Sequence, residues 1–293
     1  MNSLKLEHLR TFLAVARFRS VSRAAETLHL TQPAVTSRIK ALEENLGTSL
    51  FDRTAVGMNL TKRGDLLLQY AEQFQHLSEL VEEHVVGATG VDRLMRLGVS
   101  ETIAQSWLPD FVGALHKKFP RLKIEISVDI SINLREQLLG REIDLAILLG
   151  PISDYTIDNV RLPEVPLAWY RSPEGVQDGL VDLSSIPITT YARNTRPYRE
   201  LRTELFARFG PDVSMFPSSS LSSCFRMVEA GLAVGALPIS LGVALEQEGK
   251  LVRFDPGWTP KSLSFSASYL GEPRSHLIET AAQLAHEVAR TQV

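Results

Sequence analysis

Residues Ser20 to Glu44, SVSRAAETLHLTQPAVTSRIKALEE, constrain this chain more than any other stretch. The pattern predicts two short helices joined by a tight turn. The first begins near Ser22, whose hydroxyl can cap free N–H groups of the first turn. Its apolar side is Ala24, Ala25 and Leu28, and the two alanines let a neighbouring helix approach closely. His29-Leu30 forms the turn, and Thr31 is placed to cap the second helix. Pro33 then falls in the first turn, where its missing N–H costs nothing. Val35, Ile39 and Leu42 recur at helical spacing and form a stripe for burial. The opposite side carries Gln32, Thr36, Ser37 and Lys40. A helix anchored on one side, with short polar and basic groups near its N-terminus on the other, suits the DNA major groove. An ordinary helical hairpin in a core is the competing reading of this stretch alone.

The flanks decide between them. Leu9, Phe12, Leu13 and Ala16 predict a preceding amphipathic helix. After Gly47 come Leu50-Phe51-Asp52-Arg53-Thr54 and Met58-Asn59-Leu60-Thr61, two short extended runs around Gly57. Three helices and a small hairpin make a winged helix-turn-helix. The run AAETLHLTQPAVTSRIKALEENLGTSLFDRT…LTKRG resembles the N-terminal signature of LysR-type transcriptional regulators. The length and organisation of the remaining chain also resemble that family, so the likeness covers all of it.

The resemblance implies roles for particular residues. Gln32, Pro33, Thr36 and Ser37 are expected at base edges, Arg53 on the wing in the minor groove or on phosphate, and Arg38, Lys40 and Lys62 on phosphate. A surface salt bridge is the competing role for Arg53. Ser37 departs from the family pattern, where Arg followed by Gln is common; here Arg comes one position later, at Arg38. Charge is consistent with a DNA-binding head. Residues 1–65 carry ten Lys and Arg against six Asp and Glu, a net of +4, while the whole chain is −3, leaving −7 for the remainder.

Thr61 can cap a long helix starting at Lys62. Along it Leu67, Tyr70, Phe74, Leu77, Val81 and Val85 recur mostly at alternating threes and fours, as in a coiled-coil seam. The seam reads either as packing on the helix's own domain or as a dimer contact. The resemblance implies the second, with antiparallel pairing and a homodimer or homotetramer. The helix is expected to break around Gly87-Ala88-Thr89-Gly90.

From Arg93 onward strands alternate with helices, which implies α/β architecture and a parallel sheet. Expected strands are Leu94–Val99, Leu122–Val128 and Ile143–Leu149, with helices Ala104–Phe119 and Leu134–Leu139. After Pro163 a second unit begins. Its expected elements are strand Val165–Tyr170, strand Ile188–Tyr191, a helix from Pro197 to Phe209, a strand near Met215, helix Ser222–Ala230, strand Ala233–Leu237, helix Ile239–Gln247 and strand Leu251–Phe254. Leu263–Tyr269 returns to the first unit, followed by helix His276–Arg290. Two α/β lobes with crossings near Leu162 and Ser266 resemble the type-2 periplasmic-binding-protein fold, the effector domain of the family. The expected division is 1–61 for the winged helix-turn-helix, 62–90 for linker helix and hinge, 91–162 with 267–293 for lobe I, and 163–266 for lobe II.

A ligand crevice in such a fold lies at the carboxyl ends of the strands. Ser100 and Thr102 follow the first strand and Ser131 the second, where hydroxyls and exposed N–H groups can hold an anion. Each reads equally well as a helix N-cap. The resemblance favours the pocket for Thr102 and Ser131, and the second lobe offers Tyr191, Arg193 and Ser220. The effector the family implies is a small molecule, often a carboxylate. The single cysteine, Cys224, excludes an intrachain disulfide and reads as packing, with sulfenylation as the alternative.

No G-x-S-x-G, P-loop or H-E-x-x-H motif is present, and the seven histidines lack metal-ligand spacing. The expectation is a regulator and not an enzyme, with no cofactor or metal. Its partners would be operator DNA, the effector, a second copy and RNA polymerase, with no membrane. A stand-alone solute-binding protein would need neither the basic head nor the recognition helix. Without a signal-peptide pattern or a membrane-length apolar run, the chain reads as cytoplasmic, and the resemblance implies a bacterial protein.

Overall fold

The computed structural model describes residues 4–54, 57–81, 94–174, 181–272 and 274–291. The chain divides into two compact units, Met1–Gly90 with Gly140–Glu142, and Val91–Leu139 with Ile143–Val293. The expected break at Gly87–Gly90 and Val85 of the seam lie outside the described residues.

The first unit contains α1 (Leu6–Phe18), α2 (Val21–Thr27), α3 (Gln32–Leu46), β1 (Phe51–Thr54), β2 (Gly57–Leu60) and α4 (Lys62–Val81). The N-cap of α2 is Ser20 and not Ser22: its hydroxyl accepts from Arg23 N at 3.3 Å. The cap lies two residues earlier because α1 ends at Arg19 in a left-handed conformation, which delivers Ser20 in extended geometry. Thr31 caps α3, accepting from Ala34 N at 3.4 Å, and Gly47 ends it at φ 66°. The Glu43 carboxylate accepts from Leu50 N at 2.7 Å and Phe51 N at 3.3 Å, which ties α3 to the wing. The wing pairs antiparallel, with Phe51 opposite Leu60 and Thr54 opposite Gly57. Thr61 caps α4 through Gly64 N at 3.0 Å. A Cβ on Gly64 would lie 2.2 Å from the Leu50 carbonyl oxygen, so only glycine lets α4 leave the wing this closely. Leu9, Phe12, Val15, Ala24, Ala25, Val35, Ile39, Leu42, Leu50, Phe51 and Ala71 form one core.

The second unit holds two five-stranded sheets. Lobe I contains β3 (Leu94–Val99), α5 (Glu101–Ala104), α6 (Leu108–Lys118), β4 (Lys123–Val128), α7 (Ser131–Leu139), β5 (Leu145–Leu149) and β6 (Ile157–Arg161). Lobe II contains β7 (Leu167–Arg171), β8 (Ile188–Tyr191), α8 (Arg196–Phe209), β9 (Met215–Ser218), α9 (Leu221–Glu229), β10 (Val234–Pro238), α10 (Ile239–Gln247) and β11 (Val252–Phe254). The chain then returns through β12 (Phe265–Leu270) and α11 (His276–Arg290) to lobe I. The strand orders are β4-β3-β5-β12-β6 and β11-β7-β10-β8-β9.

Each sheet has three strands paired in parallel, β4-β3-β5 and β10-β8-β9, extended by one reversed strand, β12 or β7, that pairs antiparallel on both sides, its outer partner being β6 or β11. The parallel sheet expected from the sequence therefore holds only for the helix-connected strands. β6 escaped the sequence reading because Asp158 and Asn159 interrupt its apolar pattern on an edge strand. The expected helix 104–119 starts later, at Leu108 in α6 with Pro109 in its first turn, and Ala104 instead ends the short α5. The crossings between lobes meet at Val165 and Leu263, which exchange both backbone hydrogen bonds at 2.9 Å. Ser266 is already inside β12, three residues beyond this junction.

Candidate functional sites

Two sites emerge, one in each unit. In the first, Val35, Ile39 and Leu42 hold one side of α3 in the core while Gln32, Pro33, Thr36, Ser37 and Lys40 are exposed on the other. Lys40 pairs with Glu44 at 3.7 Å, a solvated i,i+4 contact that phosphate can replace at little cost. Lys62 is exposed in the first turn of α4. Arg53 lies in β1 opposite Met58. Arg38, expected on phosphate, has its guanidinium 3.1 Å from the exposed Glu7 and 3.5 Å from the Thr11 hydroxyl. One residue past Ser37 is a rotation of about 100° around the helix, which carries Arg38 from the exposed face towards α1. Nearby, burial is the largest effect holding the His8 imidazole below its usual pKa, aided by Lys5 and Arg38.

Along α4, Leu67 does not join the exposed seam; it packs, half-buried, against the winged-helix core. Leu66, Tyr70, Phe74, Leu77 and Val81 are instead the exposed stripe, each 46 to 53% exposed. The buried Ala71 fixes which side of the helix faces inward.

The second site is a cleft of about 310 Å³ between the lobes of the second unit. Ser100, Thr102, Ser131, Tyr191 and Ser220 line it, as does Cys224. Arg193 does not; it turns to the Tyr198 hydroxyl at 3.5 Å and lies over that ring. Its place in the lining is taken by Thr195, two residues on. The Ser131 hydroxyl accepts from Leu149 N at 3.0 Å, and Ser220 caps α9 by accepting from Ser223 N at 3.3 Å. The hydroxyls of Ser100 and Tyr191 are buried with no hydrogen-bond partner among the described residues. Burial pushes the Tyr191 phenol far above its usual pKa, so it is a neutral donor.

Sequence reasoning missed Glu101. Its carboxylate crosses from lobe I and accepts from Leu221 N, from Ser222 N at 3.2 Å, and from the Ser220 and Ser222 hydroxyls at 3.2 and 3.3 Å. Gln105 Nε2 also donates to it at 2.7 Å and to the Ser222 hydroxyl at 2.7 Å. The signals available were an acidic residue between the two hydroxyls singled out after the first strand, and the serine-rich run Ser218 to Ser223. Cys224 is buried 3.7 Å from the Thr190 carbonyl oxygen, and burial pushes its thiol pKa up. That environment suits packing and opposes thiolate chemistry.

The family model described as "Bacterial regulatory helix-turn-helix protein, lysR family" matches residues 6–65, and "LysR substrate binding domain" matches residues 88–290. The chain belongs to the LysR family. It is a DNA-binding transcriptional regulator with an effector-binding domain, and its role is regulatory, not enzymatic. This LysR-type regulator is 31% identical to the HTH-type transcriptional regulator YofA of Bacillus velezensis over 232 residues, which cover 79% of this chain and 80% of that one. It is 27% identical to the regulator GltR of Bacillus subtilis over 251 residues, 85% and 84% of the two chains. Its fold resembles that of a full-length OxyR variant from Pseudomonas aeruginosa, with a TM-score of 0.68, 20% identity and coverage of 99% and 96%. It also resembles full-length CbnR complexed with its target DNA, with a TM-score of 0.66, 21% identity and coverage of 99% and 100%. Among the described residues no helix is long and apolar enough to cross a membrane.

Proposed function

We propose that this regulator reads its operator through Gln32, Pro33, Thr36 and Ser37, with Lys40, Lys62 and Arg53 on the DNA backbone or in the minor groove. Arg38 is left out of the DNA contacts and assigned to fixing α3 against α1. The exposed polar side of α3, opposite three buried anchors, carries this reading. Gln presents an amide pair that matches adenine, and Thr and Ser suit either base edge. The stripe of Leu66, Tyr70, Phe74, Leu77 and Val81 supports pairing with a second copy, since five large apolar side chains in a row on one helix favour burial. A pair of such dimers gives the homotetramer, with RNA polymerase as a further partner at the promoter. The compartment of action is the one that holds the DNA, the cytoplasm of a bacterium.

The cleft is the effector site in this reading. A small carboxylate held between the lobes would favour one lobe angle and so shift operator affinity without touching DNA. By linkage DNA alters ligand affinity by the same factor. Selection of binding sites from random duplexes tests the assignment of α3: the unmodified chain should enrich one motif, and Gln32→Ala should relax it at one base pair. An unchanged motif with Gln32→Ala would remove that residue from base readout. Thr102→Val with Ser131→Ala tests the cleft and should blunt the ligand response while ligand-free DNA binding stays intact.

A further inference from the structure

We propose that Glu101 is a tethered carboxylate occupying the anion position of the cleft, and that a monocarboxylate effector works by displacing it. This rests on the effector reading of the cleft. Glu101 opens α5 in lobe I, yet its carboxylate accepts four hydrogen bonds from lobe II, at the first turn of α9, beside one from its neighbour Gln105. Two backbone N–H groups and two hydroxyls converge on it there, at the positive end of a nine-residue helix. That is how an external carboxylate would be bound. The Ser220 hydroxyl caps α9 through Ser223 N only, and leaves the Leu221 and Ser222 N–H groups open for a carboxylate, the place Glu101 fills.

A second observation points to a ligand. Ser100 lines the same cleft, is only 7% exposed, and its hydroxyl has no partner among the described residues. Tyr191 lines it too, and its buried hydroxyl is equally unpartnered. Buried hydroxyls are ordinarily satisfied, so these two suit a polar group brought in from outside. Charge then selects the kind of ligand. The described lining includes the carboxylates of Glu101 and Asp129 and no Lys, Arg or His. An anion entering beside Glu101 would meet uncompensated negative charge. An anion replacing Glu101 exchanges one carboxylate for another at the same N–H groups. A second negative charge on the ligand would find no counterpart. The ligand is therefore a monocarboxylate with a neutral hydrogen-bonding group for Ser100 or Tyr191 and an apolar body for Val128, Leu149 and Phe265. Its binding releases the Glu101 link between the lobes and puts the ligand in its place.

Chemical rescue tests this in the full-length chain. Acetate and propionate are the probes, succinate the dicarboxylate control, and chloride at equal ionic strength the salt control. Binding is read by calorimetry and by thermal shift. Glu101→Ala should bind acetate or propionate at least tenfold more tightly than the unmodified chain, with succinate weaker than either. Adding Ser220→Ala should remove the gain. Equal binding by the variant and the unmodified chain, with circular dichroism showing both folded, would overturn the proposal. Glu101→Ser also vacates the position and serves the same comparison if the alanine variant does not fold. Gel-shift titration on a selected operator separates the two readings. Tighter acetate binding with no effect of carboxylate on operator affinity, in either chain, would keep Glu101 as the occupant but overturn the effector role of the cleft.

Discussion

The outward side of α3 and the cleft between the lobes are built on opposite plans. Gln32, Pro33, Thr36, Ser37 and Lys40 come from nine consecutive residues, and one helix held by three buried side chains positions them all. Their side chains point to solvent, so the fold does not depend on them. The cleft gathers the ends of β3, β4, β5, β8 and β9 and the stretch at Leu263, separated by as much as 165 residues of chain from Ser100 to Phe265. Its polar groups already serve the fold: Ser131 holds Leu149 N, Ser220 caps α9, and Glu101 joins the lobes. A local site can change its specificity freely, whereas a non-local one couples ligand binding to the arrangement of the elements that make it.

The comparison can be broken most forcefully beneath α3. Phe12 is fully buried with its ring 5.2 Å from that of Phe51. Phe12→Ala should cost about 3–5 kcal/mol in the winged helix. DNA binding should vanish while calorimetry still shows the unfolding transition of the second unit. Loss of both transitions would mean that the two units do not fold separately.

Next in size is the stripe on α4. Phe74→Glu with Leu77→Glu should convert the assembly to monomers by light scattering. Losing bivalency should weaken operator binding by about 10²–10⁴-fold. A monomeric unmodified chain would refute the dimer assignment. Gln32→Ala comes below this, with a loss of about 1–3 kcal/mol confined to one base pair. Its melting temperature should not move, which is the sharpest contrast with Phe12.

In the cleft, Ser131→Ala removes the acceptor for Leu149 N and should cost about 0.5–1.5 kcal/mol of stability, seen in urea unfolding of the second unit. No cost would mean that water replaces the hydroxyl. The smallest effect is at Cys224, whose raised thiol pKa keeps it protonated at neutral pH. Iodoacetamide should label the native chain far more slowly than the urea-unfolded chain, with the rate climbing as pH rises toward the elevated pKa. Labelling at the unfolded rate would contradict the buried placement.

Much of this protein was legible in its sequence because the deciding interactions are short-range. The spacing of Val35, Ile39 and Leu42 sets which side of α3 is buried, and Thr31 and Gly47 bound the helix. Together with the later alternation of strands and helices, these determined the winged helix, the exposed polar face of α3 and the α/β character of the second unit. In the cleft, strand ends and the family likeness pointed to Ser100, Thr102, Ser131, Tyr191 and Ser220, all of which line it.

Tertiary structure decided what depends on distant partners. Periodicity alone admits Leu66 or Leu67 to the α4 stripe; the packing of Ala71, Leu67 and Leu68 on the winged-helix core turns Leu66 outward. Arg38 looks like a phosphate contact in sequence, and only the fold brings Glu7 of α1, 31 residues earlier, to 3.1 Å from its guanidinium. Which strands run antiparallel depended on the return of β12 between β5 and β6. Glu101 meets the first turn of α9 about 120 residues later in the chain. Local spacing carries no information about such a pairing, because it forms only when two lobes, each with its own sheet, bring their strand ends to the same cleft.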